Sequence, residues 1–315
     1  MTSLVTVGLV TWNSAGCLPE CLTALTRQSH PAVELVVVDN ASTDDSAGQA
    51  AALFPAARLI QNDQNRGYAG AHNQALALAH GAYYLALNPD VVLEPGYLAA
   101  LAAALDRRPA CGSAGGKLLL EPGRLDSTGL FIDRRRRQFL RGHGELDRGQ
   151  YDQAGAVFGV DGAAPLYRRA MLADVQFAGQ AWDETFFAYK EDVDLAWRAR
   201  LLGWGAWYEP AARAKHTRTF RPGRRERGSA FTRRLSVRNR YLLLLKNETA
   251  VAWRRDWPAI LTYDALILAY LLIREPASLA GLVEAWRLRP ALRRARADLH
   301  ARRRATDADC LGWFL

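Results

Sequence analysis

At 315 residues, 50% of them hydrophobic and 10% aromatic, the chain is long enough to bury a core and too apolar to be disordered. Lys and Arg total 41 against 32 Asp and Glu, but the net charge of +9 is unevenly placed: residues 1–212 carry 18 basic and 23 acidic side chains, residues 213–315 carry 23 and 9. Cys17, Cys21, Cys111 and Cys310 show neither paired metal spacing nor a disulfide framework, which excludes a stapled fold and suits a reducing compartment.

Met1-Thr2-Ser3-Leu4 lacks a basic region followed by a long apolar stretch, so no signal peptide is expected. Val5 to Val10 reads as a first buried strand, Thr11-Trp12-Asn13-Ser14 as a polar loop and Leu18 to Gln28 as a helix. A second strand, Val33 to Val38, ends in the polar burst Asp39-Asn40-Ala41-Ser42-Thr43-Asp44-Asp45-Ser46. A continuous Val run suits a strand covered on both faces, and a polar burst at its end suits a ligand-facing loop. Ala57 to Gln61 reads as the next strand and Tyr68 to His80 as the next helix; Asn65-Arg66-Gly67 opens that helix and serves equally as a cap or as an anion site. Tyr83 to Leu87 is a buried strand that stops at Asn88-Pro89-Asp90. This tripeptide is good turn chemistry, and its second carboxylate is also a hard ligand for a divalent cation. Strand and helix thus alternate three times, the pattern of a parallel sheet with right-handed crossovers.

A helix from Tyr97 to Arg107 leads to a strand region, Cys111 to Leu120, and then to a polar, glycine-containing segment, 121–155. The four arginines Arg134 to Arg137 lie in that segment and are expected to be solvated, with a role near an anionic acceptor as the alternative. Gly159 and Asp161-Gly162 allow backbone to come close to a ligand. From Glu191 the apolar positions Leu195, Ala199 and Leu202 share one helical face, so Glu191 and Asp192 belong to a first turn. Carboxylates there are either dipole-favoured capping charges or, behind the aromatic run from Trp182, proton acceptors shielded from water. Trp204 to Glu209 reads as a short strand. His216 follows, a residue type that is usually structural but that, as a neutral imidazole, could complete a metal site with Asp90. Phe220 to Gly228 is expected to be a mobile basic loop, with helices over Ala230 to Lys246, from Ala259, and over Leu288 to Arg304. The apolar run Ala259 to Ile273, 15 residues broken by Asp264, is too short and polar to be expected to span a bilayer. The basic C-terminal part suits nucleic acid, an anionic membrane surface or a plain solvated face.

Thr11-Trp12-Asn13, Val38 to Asp44, Asn65 to Gly70, Asn88-Pro89-Asp90 and Glu191 to Arg198, in this order and at predicted strand ends, resemble the family-2 glycosyltransferases of GT-A fold, in particular the bacterial rhamnosyltransferase-like branch. The resemblance runs from Val5 to about His216. It implies an α/β fold, a Rossmann-like, mostly parallel nucleotide-binding sheet flanked by helices. The catalytic domain would be 1–217, with a nucleotide-sugar half 1–110 and an acceptor half 111–217, and 218–315 a basic, mainly helical extension. Thr11, Asn13 and Asp39 would hold base and ribose, with Asn40, Asn65, Arg66, Gly67 and Asn88 also at the nucleotide. Asp90, with His216, would hold Mg2+ or Mn2+ on the diphosphate. Asp192 would be the catalytic base of an inverting transfer, and Gly162, Trp182 and Glu191 would line the sugar pocket.

The resemblance further implies a metal-dependent hexosyltransferase that uses a pyrimidine nucleotide sugar, dTDP-L-rhamnose ahead of UDP-sugars such as a galactofuranosyl donor. Its acceptor would be a hydroxyl of a cell-surface or lipid-linked glycan. The enzyme would be cytoplasmic, peripheral on the inner face of the cytoplasmic membrane, its basic extension facing anionic lipid and no nucleic acid being a partner. A non-catalytic glycan- or membrane-binding module is the rival from another class; a nucleotidyltransferase lacks its glycine-rich loop here. Two departures stand out: Asn88 replaces the Asp that commonly begins the metal motif, and Ala71-His72 stand where small residues or glycine are expected.

Overall fold

Continuous apolar runs form the middle of the sheet, as burial on both faces requires. The computed structural model of the protein describes residues 3–120, 123–218 and 229–315. β1 (Val5–Thr11), α1 (Leu18–Thr26), β2 (Val33–Asp39), α2 (Ser46–Leu53), β3 (Arg58–Gln61), α3 (Gly67–Ala77) and β4 (Tyr83–Leu87) alternate along the chain. The four strands pair in parallel in the order β4-β1-β2-β3. The register sets Thr11 beside Asp39, so two sequence-distant polar residues end their strands side by side.

β5 (Val91–Leu93), α4 (Tyr97–Asp106), β6 (Cys111–Leu120) and β7 (Arg124–Ser127) follow, then the hairpin of β8 (Leu130–Ile132) and β9 (Gln138–Leu140). β10 (Gly155–Val157), β11 (Leu166–Arg168), α5 (Arg169–Asp174), α6 (Glu191–Leu201) and β12 (Gly205–His216) complete the sheet region. β11 lies antiparallel between β4 and β6. Because it runs the other way, the segment that leads into it starts over the carboxyl ends of its neighbours. β12 pairs in parallel with β6 and antiparallel with β5, which sets His216 opposite Val91, one residue beyond Asp90. The fold is therefore α/β with a central, mostly parallel sheet, as the alternation predicts.

Differences from the expected elements have local causes. The polar burst after β2 is loop only to Asp45, where Ser46 starts α2; Asp44 accepts a hydrogen bond from the Ser46 N–H at 3.1 Å. The 121–155 segment contains three strands, β7, β8 and β9, because Leu125, Leu130 and Ile132 find apolar partners far away in sequence. The expected strand to Glu209 continues to His216, past a register shift between Glu209 and Arg213. Phe220 to Gly228 lies outside the described residues.

Four helices end the chain: α7 (Ala230–Asn247), α8 (Ala250–Arg274), α9 (Ala280–Ala301) and α10 (Asp307–Gly312). They share a core with the sheet, Leu242, Leu243, Ala252, Leu292 and Phe314 clustering with Phe158 and Trp197. Both α8 and α9 begin earlier than expected, at Ala250 and Ala280, and each contains a proline, Pro258 and Pro290. α8 has 25 residues and is long and apolar enough, by length and composition alone, to cross a membrane; the apolar run within it is only its second half.

Of the four arginines Arg134 and Arg135 are exposed, but Arg136 is not solvated. Arg136 is 4% exposed; its Nε and Nη2 meet Glu248 at 2.7 and 3.1 Å, and its Nη1 meets Asp256 at 2.9 Å. Arg134 Nε donates to Asp256 at 2.7 Å. Burial alone would raise the Asp256 pKa, but Arg255, Arg134 and Arg136 outweigh it and hold the carboxyl well below its ordinary range. The turn between β8 and β9 is thus a socket for α8, built from pairs more than 100 residues apart, which no local pattern signals.

Candidate active site

At the carboxyl ends of β1 and β2, Thr11 is fully buried with no partner for its Oγ1, and Asp39 is 5% exposed with its Oδ1 equally unpartnered. The other Asp39 oxygen accepts from the Ser42 N–H at 3.1 Å, so the carboxylate is held in place with one oxygen left over. Buried polar atoms normally find a partner; these two belong to residues paired side by side at the ends of β1 and β2. Asn13, at φ 50°, accepts from the Thr43 N–H at 2.8 Å and ties the loop after β1 to the loop after β2.

Several residues expected at the nucleotide shape the walls instead. Asn40 is 2% exposed; its amide nitrogen donates to Asn65 Oδ1 and to the Gly67 carbonyl, and its oxygen accepts from Arg66 N–H and Asn62 Nδ2. All its bonding positions are engaged inside the protein, and Asn65 Oδ1 is likewise occupied by Asn40 and the Gly67 N–H. Gly67 has φ 72°, and a Cβ there would come within 2.3 Å of the Phe187 carbonyl; its bare backbone serves the loop ahead of Glu191. Arg66 remains exposed at the start of α3.

Asp90 is 8% exposed, and its Oδ1 lies 3.3 Å from His216 Nε2. His216 Nδ1 lies 2.7 Å from Asp126 Oδ2, which orients the imidazole as a carboxylate orients a metal-bound histidine. Burial pulls the His216 pKa down, but hydrogen bonds to Asp126 and Asp90 outweigh it and raise it to about 9. A proton on the ring and a cation between ring and Asp90 answer the same charge. Among the described residues no group of three or more His, Cys, Asp or Glu could hold a metal. One carboxylate and one imidazole, with positions left for diphosphate oxygens, fit Mg2+ or Mn2+. Asn88 makes backbone bonds, its N–H donating to the Ala163 carbonyl at 2.8 Å.

Asp192 stands in the first turn of α6, its Oδ2 accepting from the Gly162 N–H at 3.2 Å and its Oδ1 from the Val193 N–H at 2.8 Å. Gly162 lets this carboxylate come close; a Cβ there would sit 3.3 Å from the Asp192 Cβ. Tyr68 Oη donates to the Gly162 carbonyl at 2.7 Å and fixes the same peptide from the other side. Burial, then the charge of Asp161, raise the Asp192 pKa to about 6. Glu191, 8% exposed with Oε2 unpartnered, is pushed well above the carboxylate range by burial and by Asp192. Burial and repulsion between neighbouring carboxylates thus raise both carboxyls of this adjacent pair.

The segment 161–163 joins the two motifs. Ala163 holds Asn88, Gly162 holds Asp192, and the carboxylate of Asp161 lies 3.4 Å from Arg218 Nη2. Arg218 in turn bonds Asp126, the partner of His216. Asp161, Asp126 and Arg218 were not legible as site residues; Asp161 adjoins the glycine that was, while Asp126 and Arg218 carry no local signal. Trp182 does not line a pocket. Its indole is wholly buried among His72, Tyr84 and Tyr167, with ring centroids 5.4, 5.6 and 5.7 Å away, so it supports the loop from beneath. His72 packs there too, fully buried, with burial lowering its pKa to about 3.

The loop that delivers Glu191 and Asp192 is strained and clamped. Phe187, Tyr189 and Lys190 all have positive φ, 63°, 69° and 71°, a cost of order 1–3 kcal/mol each that the surroundings must offset. Asn239 of α7, fully buried, donates to the carbonyls of Phe186, Ala188 and Tyr189 at 3.0, 2.9 and 2.6 Å. Arg238 adds bonds to Thr185 and Phe186. Lys246 and Asn247 hold Asp194, which also pairs with Arg198 at 2.8 Å.

The description "Glycosyl transferase family 2" matches residues 6–174. The chain belongs to this family. N-acetylglucosaminyl-diphospho-decaprenol L-rhamnosyltransferase of Mycobacterium tuberculosis is 29% identical over 251 residues, covering 71% of this chain and 79% of that one. Succinoglycan biosynthesis protein ExoO of Rhizobium meliloti is 33% identical over 35% of this chain and 31% of its own length. Among solved structures, residues 1–349 of S. aureus TarS superpose with a TM-score of 0.58 at 18% identity, covering 95% of this chain and 88% of that one. The mannosyltransferase PcManGT of Pyrobaculum calidifontis, in complex with GDP-Man and Mn2+, gives 0.56 at 18% identity, covering 99% and 88%. These glycosyltransferases share the GT-A fold with the present family member.

Proposed function

We propose that this family-2 glycosyltransferase transfers L-rhamnose from dTDP-L-rhamnose, with inversion, to a hydroxyl of a lipid-linked glycan at the inner face of the cytoplasmic membrane. The observation that carries the reading is the 161–163 segment, which binds the Asn88-Pro89-Asp90 turn through Ala163 and the Asp192 carboxylate through Gly162. Proton acceptor and diphosphate end are thereby built into one edge of the sheet. The mycobacterial relative supports the sugar and the lipid carrier.

On this reading the unpartnered oxygens of Thr11 and Asp39 receive the donor's pyrimidine, Asp39 accepting its N–H, with Asn13 holding the wall. Asp90 and His216 hold a divalent cation, which when bound supplies positive charge against the departing diphosphate. Arg66 and Arg218 are the nearby charged donors for phosphate oxygens. Asp192, ionised, takes the proton of the acceptor hydroxyl as that oxygen attacks the anomeric carbon from the face opposite the diphosphate.

The test is a panel of nucleotide sugars assayed for transfer to a polyprenyl-diphosphate-linked acceptor, with Mg2+ or Mn2+ and with EDTA. Turnover with dTDP-L-rhamnose that EDTA abolishes is expected. Turnover confined to a UDP-sugar overturns the donor, and turnover indifferent to EDTA overturns the roles of Asp90 and His216.

A further inference from the structure

We propose that the exposed apolar face of α8, together with the arginine-lined cavity at its first turns, seats the protein on the surface of an anionic phospholipid bilayer. Trp253, Trp257, Leu261, Leu268 and Leu272 recur at helical spacing and are all exposed, and Leu266 and Ile273 beside them are 63% and 77% exposed. Only 17% of the helix's apolar window is buried, and a soluble protein seldom leaves so continuous a face to water. Trp at one end and aliphatic residues at the other are the composition of a helix lying in a membrane interface.

The charge beside this face is mostly basic, three arginines against two carboxylates. A cavity of about 600 Å³ is lined by Asp133, Arg134, Arg135, Arg255, Asp256 and Pro258, and a second of about 300 Å³ continues from Arg135 past Tyr263 to Leu266. Arg134 and Arg255 are engaged by Asp256, whereas Arg135 is exposed and has no ion pair among the described residues. A guanidinium at the meeting of the two cavities, next to an aliphatic face, suits a lipid phosphate with its chains along α8. Beyond the turn Pro276–Leu279, α9 exposes Val283 and Trp286, and the next ten residues carry Arg287, Arg289, Arg293, Arg294 and Arg296 with no acid among them.

The same contacts decide between occupants. Asp256 and Asp264 of α8 are tied to Arg136 and Arg240 at 2.9 and 2.7 Å, so crossing the bilayer would tear both carboxylates from their partners; the helix lies on the surface instead. A second copy would bring arginine-rich surface against its like, which a two-fold contact penalises. The strand that leaves the arginine turn touches the loop ahead of Glu191. Gln138, on the strand leaving the arginine turn, accepts from Lys190 Nζ at 2.7 Å, one residue before Glu191. Seating the membrane here brings a lipid-linked acceptor to the base, an inference that rests on the acceptor proposed above.

The full chain is tested by flotation with vesicles of phosphatidylcholine alone and of phosphatidylcholine containing phosphatidylglycerol. Expected is at least about tenfold more protein on the anionic vesicles, falling as salt rises. Leu266→Glu/Ile273→Glu should lower this binding at least about tenfold and Arg135→Glu several-fold. Circular dichroism and calorimetric nucleotide affinity should be unchanged in both variants. Equal binding to both vesicle types overturns the proposal. So does a dimer in light scattering that the Leu266→Glu/Ile273→Glu variant abolishes, or protein that only detergent, and not alkaline carbonate, extracts. Nucleotide affinity and the donor panel read the transferase separately: loss of transfer with vesicle binding intact sinks the acceptor and spares the surface, and the reverse result spares the enzyme.

Discussion

The carboxyl ends of β1 and β2, with the start of α6, and the buried polar side chains that join the C-terminal helices to the sheet differ in what the atoms described for them touch. Thr11, Asp39 and Glu191 each keep a buried oxygen without a partner. Arg136 and Asn239 are as deeply buried, yet every contact just described for them ends on another part of the chain. The unpartnered oxygens of Thr11 and Asp39 lie together at two strand ends, whereas the bonds of Arg136 and Asn239 hold a shape. In this family member the first set reads as the place of chemistry and the second as the frame that holds it.

The largest effect that would break this division is on the base. Asp192→Asn should lower transfer by about 10³-fold while nucleotide affinity, read by calorimetry, stays unchanged. In the parent enzyme kcat/KM should fall as pH drops through about 6, because burial and Asp161 raise the carboxyl to that value and only the ionised form accepts a proton; the variant should show no such limb. Transfer by Asp192→Asn at the parent rate would move the chemistry elsewhere.

Next comes the frame itself. Arg136→Ala leaves Glu248 and Asp256 buried without their shared cation and should cost about 3–5 kcal/mol of stability, seen as a fall in Tm in thermal unfolding. A Tm shift of a degree or less would show the socket to be ornamental to folding.

The smallest expected effect sharpens the comparison most. Asn239→Ala removes the donor to three carbonyls of the strained loop, and kcat should fall between about 10- and 100-fold through misplacement of Asp192, with the donor's KM nearly unchanged. Loss of Tm with kcat intact would make Asn239 a stability residue only.

The same division explains what could be read beforehand. The Val run of β2, the apolar stretch of β4 and the polar residues that end them are contiguous, so period and punctuation suffice. Asp90, Asp192 and His216 announce themselves as strand-end or helix-start polar groups. Arg136 and Glu248 are separated by 112 residues, and Asp126 and His216 by 90; their meaning is created only when the chain folds back. Trp182 failed for the opposite reason, since an aromatic beside acidic residues looks like a sugar platform until the core claims it. Asn40 and Gly67 stand in motifs expected to face a nucleotide, and their contacts go to neighbouring loops.

The grip of α7 on residues 185–189 has a consequence for how the molecule comes to life. Phe187, Tyr189 and Lys190 hold their left-handed backbone against carbonyl bonds supplied by Asn239, some fifty positions further along the chain. On the ribosome the sheet's strands emerge first, yet the turn that aims Asp192 has nothing to brace it until α7 has been made and has docked. The shape of this turn is therefore a late product of synthesis, and a fragment ending before Ala230 would carry Glu191 and Asp192 without the side chains that brace the loop ahead of them.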